Sequence, residues 1–365
     1  MKRFFAPGRV NLIGEHLDYN GGLVLPVCID LGITLTVHER SDGIVTLQSK
    51  SHPLTKEISA EDTQEYNNLN GWTNYPLGVI QHLKEEGYSI NGCDLFFEST
   101  LPESSGLSSS AALEIVTTFA LLEIQQVKLD SVWLANFCKL VENNFIGVQC
   151  GIMDQYAIAL GRQDQSLLIN CANLSHPYIP FELGNYRLLI MNSKKPRALI
   201  HSKYNERKRE CEEALKIIQN ANHDIHFLCE ADPVLTDLIA DEVIRKRARH
   251  VISENIRVKE AAKFLQMNDL STFGRLMNAS HHSLQVDYEV SGLELDTLVS
   301  SAHQIKNCLG ARMTGAGFGG CAIAIVHQTS VSEFKEKVAE NYFRVTGLSC
   351  EIYESKTRDG VHAIY

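Results

Sequence analysis

Between Leu101 and Glu114 the chain reads LPESSGLSSSAALE, a serine cluster broken by one glycine that runs directly into an apolar stretch ending at Ile124. Small polar residues followed at once by apolar periodicity mark the start of a helix, here expected over Ala111 to Ile124. Such a start presents free backbone N–H groups at the positive end of the helix dipole, an arrangement that suits a phosphate. Simple capping by Ser108 or Ser109 is the plainer reading of the same residues. Both can hold, since the cap and the anion site occupy one place.

Two other glycine-rich segments stand out. GRVNLIGEHLDYNGG, from Gly8 to Gly22, gathers Arg9, Glu15, His16 and Asp18 with two asparagines. Polar groups this dense can converge on a polyhydroxylated ligand, because carboxylates and imidazole make several hydrogen bonds each. A surface turn of solvated charges is the alternative. GARMTGAGFGG, from Gly310 to Gly320, carries no lysine and runs into a strand, so it is neither a Walker loop nor a dinucleotide fingerprint. By itself it reads as a tight turn.

The rest of the chain narrows the options. Its 365 residues suggest two domains, divided near residue 180 into 1–180 and 181–365. A net charge of −10 argues against a nucleic-acid partner and requires a local positive site or a metal ion for any anionic substrate. The ten cysteines are scattered, without CxxC pairs or zinc-finger spacing. With no signal peptide or membrane-length apolar run, a cytoplasmic protein is expected. Strands are expected over Leu23 to Ile29, Ile33 to Val37, Gly92 to Glu98, Cys321 to Val326 and Ser349 to Glu354. Helices are expected over Tyr75 to Glu86, Ser131 to Asn143, Asn205 to Asn220, Val243 to Leu265, Leu270 to Leu284 and Val331 to Asn341, with another beginning near Asp154. This pattern is α+β.

Taken together and in this order, the three segments resemble the GHMP kinase superfamily, and within it the galactokinases. GRVNLIGEHLDYNGG is similar to the galactokinase signature, departing at Leu17, where threonine is usual. GLSSSAA looks like the family's serine motif, RMTGAGFGGC like its third motif, and CGIMDQ, from Cys150 to Gln155, like a fourth stretch. Glu103-Ser104-Ser105 stands where the family usually has a glycine-rich pair.

The resemblance implies a ribosomal-S5-like N-terminal domain, a ferredoxin-like C-terminal domain and an active site between them. It implies an enzyme that phosphorylates galactose, or a related sugar such as N-acetylgalactosamine or arabinose, with ATP as co-substrate and Mg²⁺ as cofactor. Arg9 and Asp154 would be the catalytic pair. Glu15, His16, Leu17, Asp18, Gly151 and Tyr204 would form the sugar pocket. Ser104, Ser105, Gly106, Leu107, Ser108, Ser109 and Ser110 would wrap the ATP phosphates, with Ser110 and Glu142 near the metal. Non-catalytic galactose sensors of this kind lack a Ser-Ala pair in the serine motif; here the motif is complete.

Overall fold

The computed structural model describes residues 1–103, 105–195 and 200–365. Ten strands build its two principal sheets: β1 (Lys2–Asn11), β2 (Pro26–Glu39), β3 (Ile44–Ser49), β4 (Lys56–Ser59), β5 (Cys93–Ser99), β6 (Tyr186–Asn192), β7 (Cys308–Thr314), β8 (Cys321–His327), β9 (Glu351–Ser355) and β10 (His362–Ile364). The first sheet has the order β10-β1-β2-β5-β3-β4 and is antiparallel except where β3 lies beside β5. The second is antiparallel throughout, in the order β7-β8-β6-β9.

Nine α-helices cover these sheets among the described residues. They are α1 (Asn74–Glu85), α2 (Ser109–Glu123), α3 (Ser131–Val141), α4 (Met153–Leu160), α5 (Ile200–Ala221), α6 (Glu242–Gln266), α7 (Leu270–Val286), α8 (Gly292–His303) and α9 (Val331–Thr346). Helices α2 and α4 pack on β1 and β2, while α7 and α8 pack on β7. Helix α2 is apolar nearly all round, with Ala111 to Thr118 entirely buried, so it forms the centre of the first layer.

The structure departs from the expected elements where glycine was read as a turn. Residues 8–11 and 310–314 are the ends of β1 and β7, and the strand pattern continues through their glycines. Gly8 is required by close approach: a Cβ there would lie 2.8 Å from the Leu107 carbonyl oxygen and 2.5 Å from Leu101. Likewise β2 is one strand of 14 residues rather than two. Its Gly32 leaves room for the ring of Phe5, which would stand 2.4 Å from a Cβ at that position.

The last strand departs from a single division at residue 180. Phe4 of β1 pairs with Ala363 of β10, so the end of the chain completes the first sheet.

Candidate active site

Strand β1 ends by carrying Arg9 into a cleft between the two sheets. Arg9 is only 5% exposed, and its guanidinium clamps Asp154, at the start of α4, with Nε to Oδ1 and Nη2 to Oδ2 both 2.8 Å. Its Nη1 donates to the Gly106 carbonyl at 2.7 Å, which ties the serine segment to the same pair. Arginine suits this place because its planar fork matches a carboxylate while a further N–H remains for the backbone.

Ser108 adopts a left-handed backbone (φ 63°) and makes no side-chain cap on α2. Its hydroxyl donates to Asp154 Oδ2 at 2.5 Å. Capping by Ser108 is therefore corrected: the hydroxyl is used on the carboxylate.

The wall facing this pair is the turn from Ile13 to Gly22. Glu15 is buried, with Oε1 accepting from the Gly315 amide at 3.0 Å and Oε2 paired with Arg312. Burial raises the Glu15 carboxyl above its ordinary value, and Arg312 opposes that rise. His16 Nε2 faces the Ala316 carbonyl, which can only accept, so Nε2 carries the proton and Nδ1 accepts from the Tyr19 hydroxyl at 2.8 Å. Tyr19 in turn accepts from Tyr288, also at 2.8 Å. Burial, and then the nearby His250, lower the His16 pKa to about 3, so the ring is neutral.

Asp18 lines the same wall, beside Gly151 and Tyr204. Burial, and then the charge of Asp154, push its carboxyl up to about 6. A Cβ on Gly151 would lie 1.9 Å from Asp18 Oδ2, so glycine there is a demand of space. The Tyr204 ring packs 5.6 Å from His16 and 5.3 Å from Tyr19. Leu17 does not join them. It is fully buried, and its carbonyl accepts from the amides of Asn20 and Gly22, so it shapes the turn from behind.

On the opposite wall, Gly106, Ser108, Ser109 and Ser110 line the cleft at the start of α2. Ser105 and Leu107 are buried and lie outside the lining, and Ser104 falls outside the described residues. Glu142 begins a wide helical turn that follows α3. It is buried among neutral partners: Gln155 Nε2 donates to it at 2.7 Å and the Cys150 thiol at 3.5 Å, while Ser110 bonds to it as well. Burial, and then Asp154, raise its carboxyl above the ordinary value. Among the described residues no cation partners this buried carboxylate, and with the Ser110 hydroxyl beside it the oxygen donors are of the kind a magnesium ion takes.

The cleft has a volume of about 520 Å³. A cavity of about 600 Å³ elsewhere, lined by Asp30, Arg187 and Lys356, contains none of these residues. The sequence reading missed Asn205, Gly315 and Ala316 in the lining, and missed Arg312 behind it. The glycine pattern around Arg312 and its likeness to a family motif drew attention to that segment, and nothing in it revealed a partner.

The chain is similar to known proteins over its whole length. The profile "GHMP kinases N terminal domain" matches residues 74–162, "Galactokinase galactose-binding signature" residues 2–39, and "GHMP kinases C terminal" residues 259–344. The galactokinase of Clostridium tetani is 45% identical over 100% of this chain and 94% of its own length. That of Staphylococcus carnosus is 44% identical over 99% and 94%. The crystal structure of Lactococcus lactis galactokinase complexed with galactose superposes with a TM-score of 0.93 at 43% identity, covering 100% of this chain and 95% of that one. A mevalonate kinase structure at 22% identity and a TM-score of 0.73 shares the fold. With its two-domain GHMP architecture, its arginine–aspartate pair and relatives this similar over their full length, the chain belongs to the galactokinase family of GHMP kinases.

Proposed function

We propose that the protein transfers the γ-phosphoryl group of ATP to the anomeric (C1) hydroxyl of galactose, giving galactose 1-phosphate and ADP. The Arg9–Asp154 pair carries this reading, because it stands where the two walls of one cleft meet. One wall offers polar side chains (Glu15, His16, Asp18, Tyr204) to a polyol and is the sugar wall. The other offers a helix start and serine hydroxyls to phosphates and is the phosphate wall. Galactose is favoured as the sugar by the galactokinase relatives and by the galactose held in the Lactococcus lactis complex.

In the transfer, a bond forms from the C1 oxygen to Pγ while the bond from Pγ to the β–γ bridging oxygen breaks, and its electron pair leaves with ADP. Two Arg9 nitrogens and the Ser108 hydroxyl reach the Asp154 carboxylate, which offers about four acceptor positions, so one is left for the C1 hydroxyl proton. The transition state is loose, and the hydroxyl becomes acidic only late, so placing Asp154 matters more than making it basic. Arg9 holds that carboxylate and brings positive charge beside the transferring group. Glu142 and Ser110 would hold Mg²⁺, which neutralises phosphate charge when bound. Residues 1–180 would supply most contacts to both substrates, with residues 181–365 supporting them.

A cytoplasmic location is part of the same reading. All ten cysteines are free thiols, as suits a reducing compartment. Among the described residues, no helix is long and apolar enough to cross a membrane.

The test is ADP release with galactose, N-acetylgalactosamine, arabinose and glucose, with the phosphorylated position of each product assigned by NMR. Galactose should be used best and phosphorylated at C1. Faster turnover of another sugar would overturn the substrate, and galactose binding without any ADP release would make the protein a sensor.

A further inference from the structure

The third glycine-rich segment is not accounted for by the phosphate wall. Only Gly315 and Ala316 from it reach the cleft, and Arg312, three residues earlier, is completely buried. Burying a guanidinium is costly unless its donors are met. Here Nε donates to Ser280 Oγ and Nη1 to the Asn11 carbonyl, both at 3.2 Å, while Nη2 pairs with the Glu15 carboxylate.

The nearest other acid, Glu254, is 3.8 Å from Nη2 and has its own partners. It accepts from the Gly14 amide at 3.0 Å and from Arg257 at 2.6 Å, and Ser280 also donates to it. Burial alone would raise the Glu254 carboxyl, but Arg257, His250 and Arg312 together hold it down at about 2. Glu254 is thus ionised with Arg257 as its nearest cation, and Arg312 is left to Glu15.

Both oxygens of Glu15 are consequently fixed by one short stretch of the second half of the chain: Oε2 by Arg312 and Oε1 by the Gly315 amide. The same stretch grips β1, since Thr314 Oγ1 accepts from the Asn11 amide at 2.9 Å and donates to its carbonyl at 3.0 Å. A buried ion pair of this kind is weak evidence for stability, because well-packed apolar residues often serve a core equally well. What separates this pair from a core ornament is that Glu15 also lines the cleft.

We infer that Arg312 is a positioning residue for the sugar: acting through Glu15, it fixes the carboxylate of the sugar wall from behind, so the third glycine-rich segment serves sugar recognition. The inference rests on the reading of Glu15 as a sugar contact.

A double-mutant cycle tests it, using Arg312→Met, Glu15→Gln and the two combined in the full chain, with KM for galactose and for ATP measured separately. Each single variant should raise the sugar KM by roughly 10- to 100-fold and leave the ATP KM within about twofold, as expected when a buried charge–polar contact is lost. The combined variant should be no worse than the poorer single one. Additive losses, a native sugar KM in either single variant, or an ATP KM that rises equally would overturn the assignment. Arg312→Lys covers the case in which Arg312→Met does not fold. It keeps the charge but loses the fork, so its sugar KM should rise roughly 3- to 10-fold at constant ATP KM; a native sugar KM in that variant overturns the proposal equally. Galactose turnover by the native protein, measured in the same series, separates a failed sugar assignment from a failed role for Arg312.

Discussion

The two walls of the cleft are built in opposite ways. On the proposed sugar wall two of the four polar side chains arrive already engaged: Glu15 with Arg312 and Gly315, and His16 with Tyr19 and Ala316. On the phosphate wall the seat is the start of α2, where the serine at the cap position spends its hydroxyl on Asp154 and caps nothing. A rigid polyol is met by a pre-set pattern of acceptors, because each misplaced buried hydrogen bond weakens binding. A phosphate carries enough charge to be met by unengaged backbone N–H groups and the helix dipole. The difference teaches that one cleft can fix one substrate through side chains and the other through backbone.

The comparison can be broken most severely at the junction of the walls. Asp154→Asn keeps the shape but removes the charge that Arg9 clamps, and turnover should fall roughly 10²- to 10⁴-fold with sugar affinity far less altered. Rapid-quench measurement at saturating ATP and galactose checks this; near-native turnover in a folded variant would remove Asp154 from the catalytic pair.

Gly151→Ala strikes the sugar wall alone. Its methyl group would displace Asp18, raising the sugar KM by roughly 10- to 100-fold while the ATP KM holds. Equal changes in both constants would show that the walls are not separable here.

Acidity gives a smaller and graded effect. Ionised Asp18 accepts with both oxygens, whereas the protonated carboxyl turns one of them into a donor; with its carboxyl pushed up to about 6, kcat/KM for the sugar should fall as pH drops below that value. Stability should run the other way. Because the folded-state value lies above the ordinary aspartate value of 3.8, the folded protein keeps a proton that the unfolded chain has shed between about pH 4 and 6. The contribution of Asp18 to stability is present at low pH and is lost as pH rises through about 6. Asp18→Asn should therefore melt higher than the native protein at pH 8 while binding sugar less well; an unchanged or lower Tm at pH 8 would contradict the buried-charge account.

The smallest effect is expected on the phosphate wall. Ser110→Ala should raise the KM for MgATP roughly 3- to 10-fold, the scale of one hydrogen bond, and calorimetry without nucleotide should find sugar affinity intact. An equal loss of sugar affinity would place Ser110 on the wrong wall.

Much of this was legible in the chain because the signals were local. Helix α2 was announced by serines before an apolar run, and α6 and α7 by their periodicity. Arg9, Glu15, His16, Asp18, Gly151, Asp154 and Tyr204 came from the resemblance to galactokinase motifs, and the fold gathers them into one cleft. What escaped was long-range. Whether Ser108 caps its helix or bonds Asp154 depends on a residue 46 positions away, and Arg312 meets Glu15 from nearly 300 positions away. Glycines also misled, because in β1 and β7 they serve close packing between neighbouring segments of the chain and not a turn. Leu17 shared its motif with true cleft residues, yet its apolar side chain turned to the core.

The pairing of β10 with β1 has a consequence for how the protein is made. The strand bearing Arg9 is made long before residues 362–364, and its outer edge meets its partner only when these emerge. At roughly 5–20 residues per second, that edge stays open for about 20 to 70 s of synthesis. Unpaired strand edges invite pairing with other chains. The nascent polypeptide thus carries the strand bearing Arg9 as a lasting hazard, and a chain without residues 362–364 would hold every cleft residue and still leave that strand as an edge.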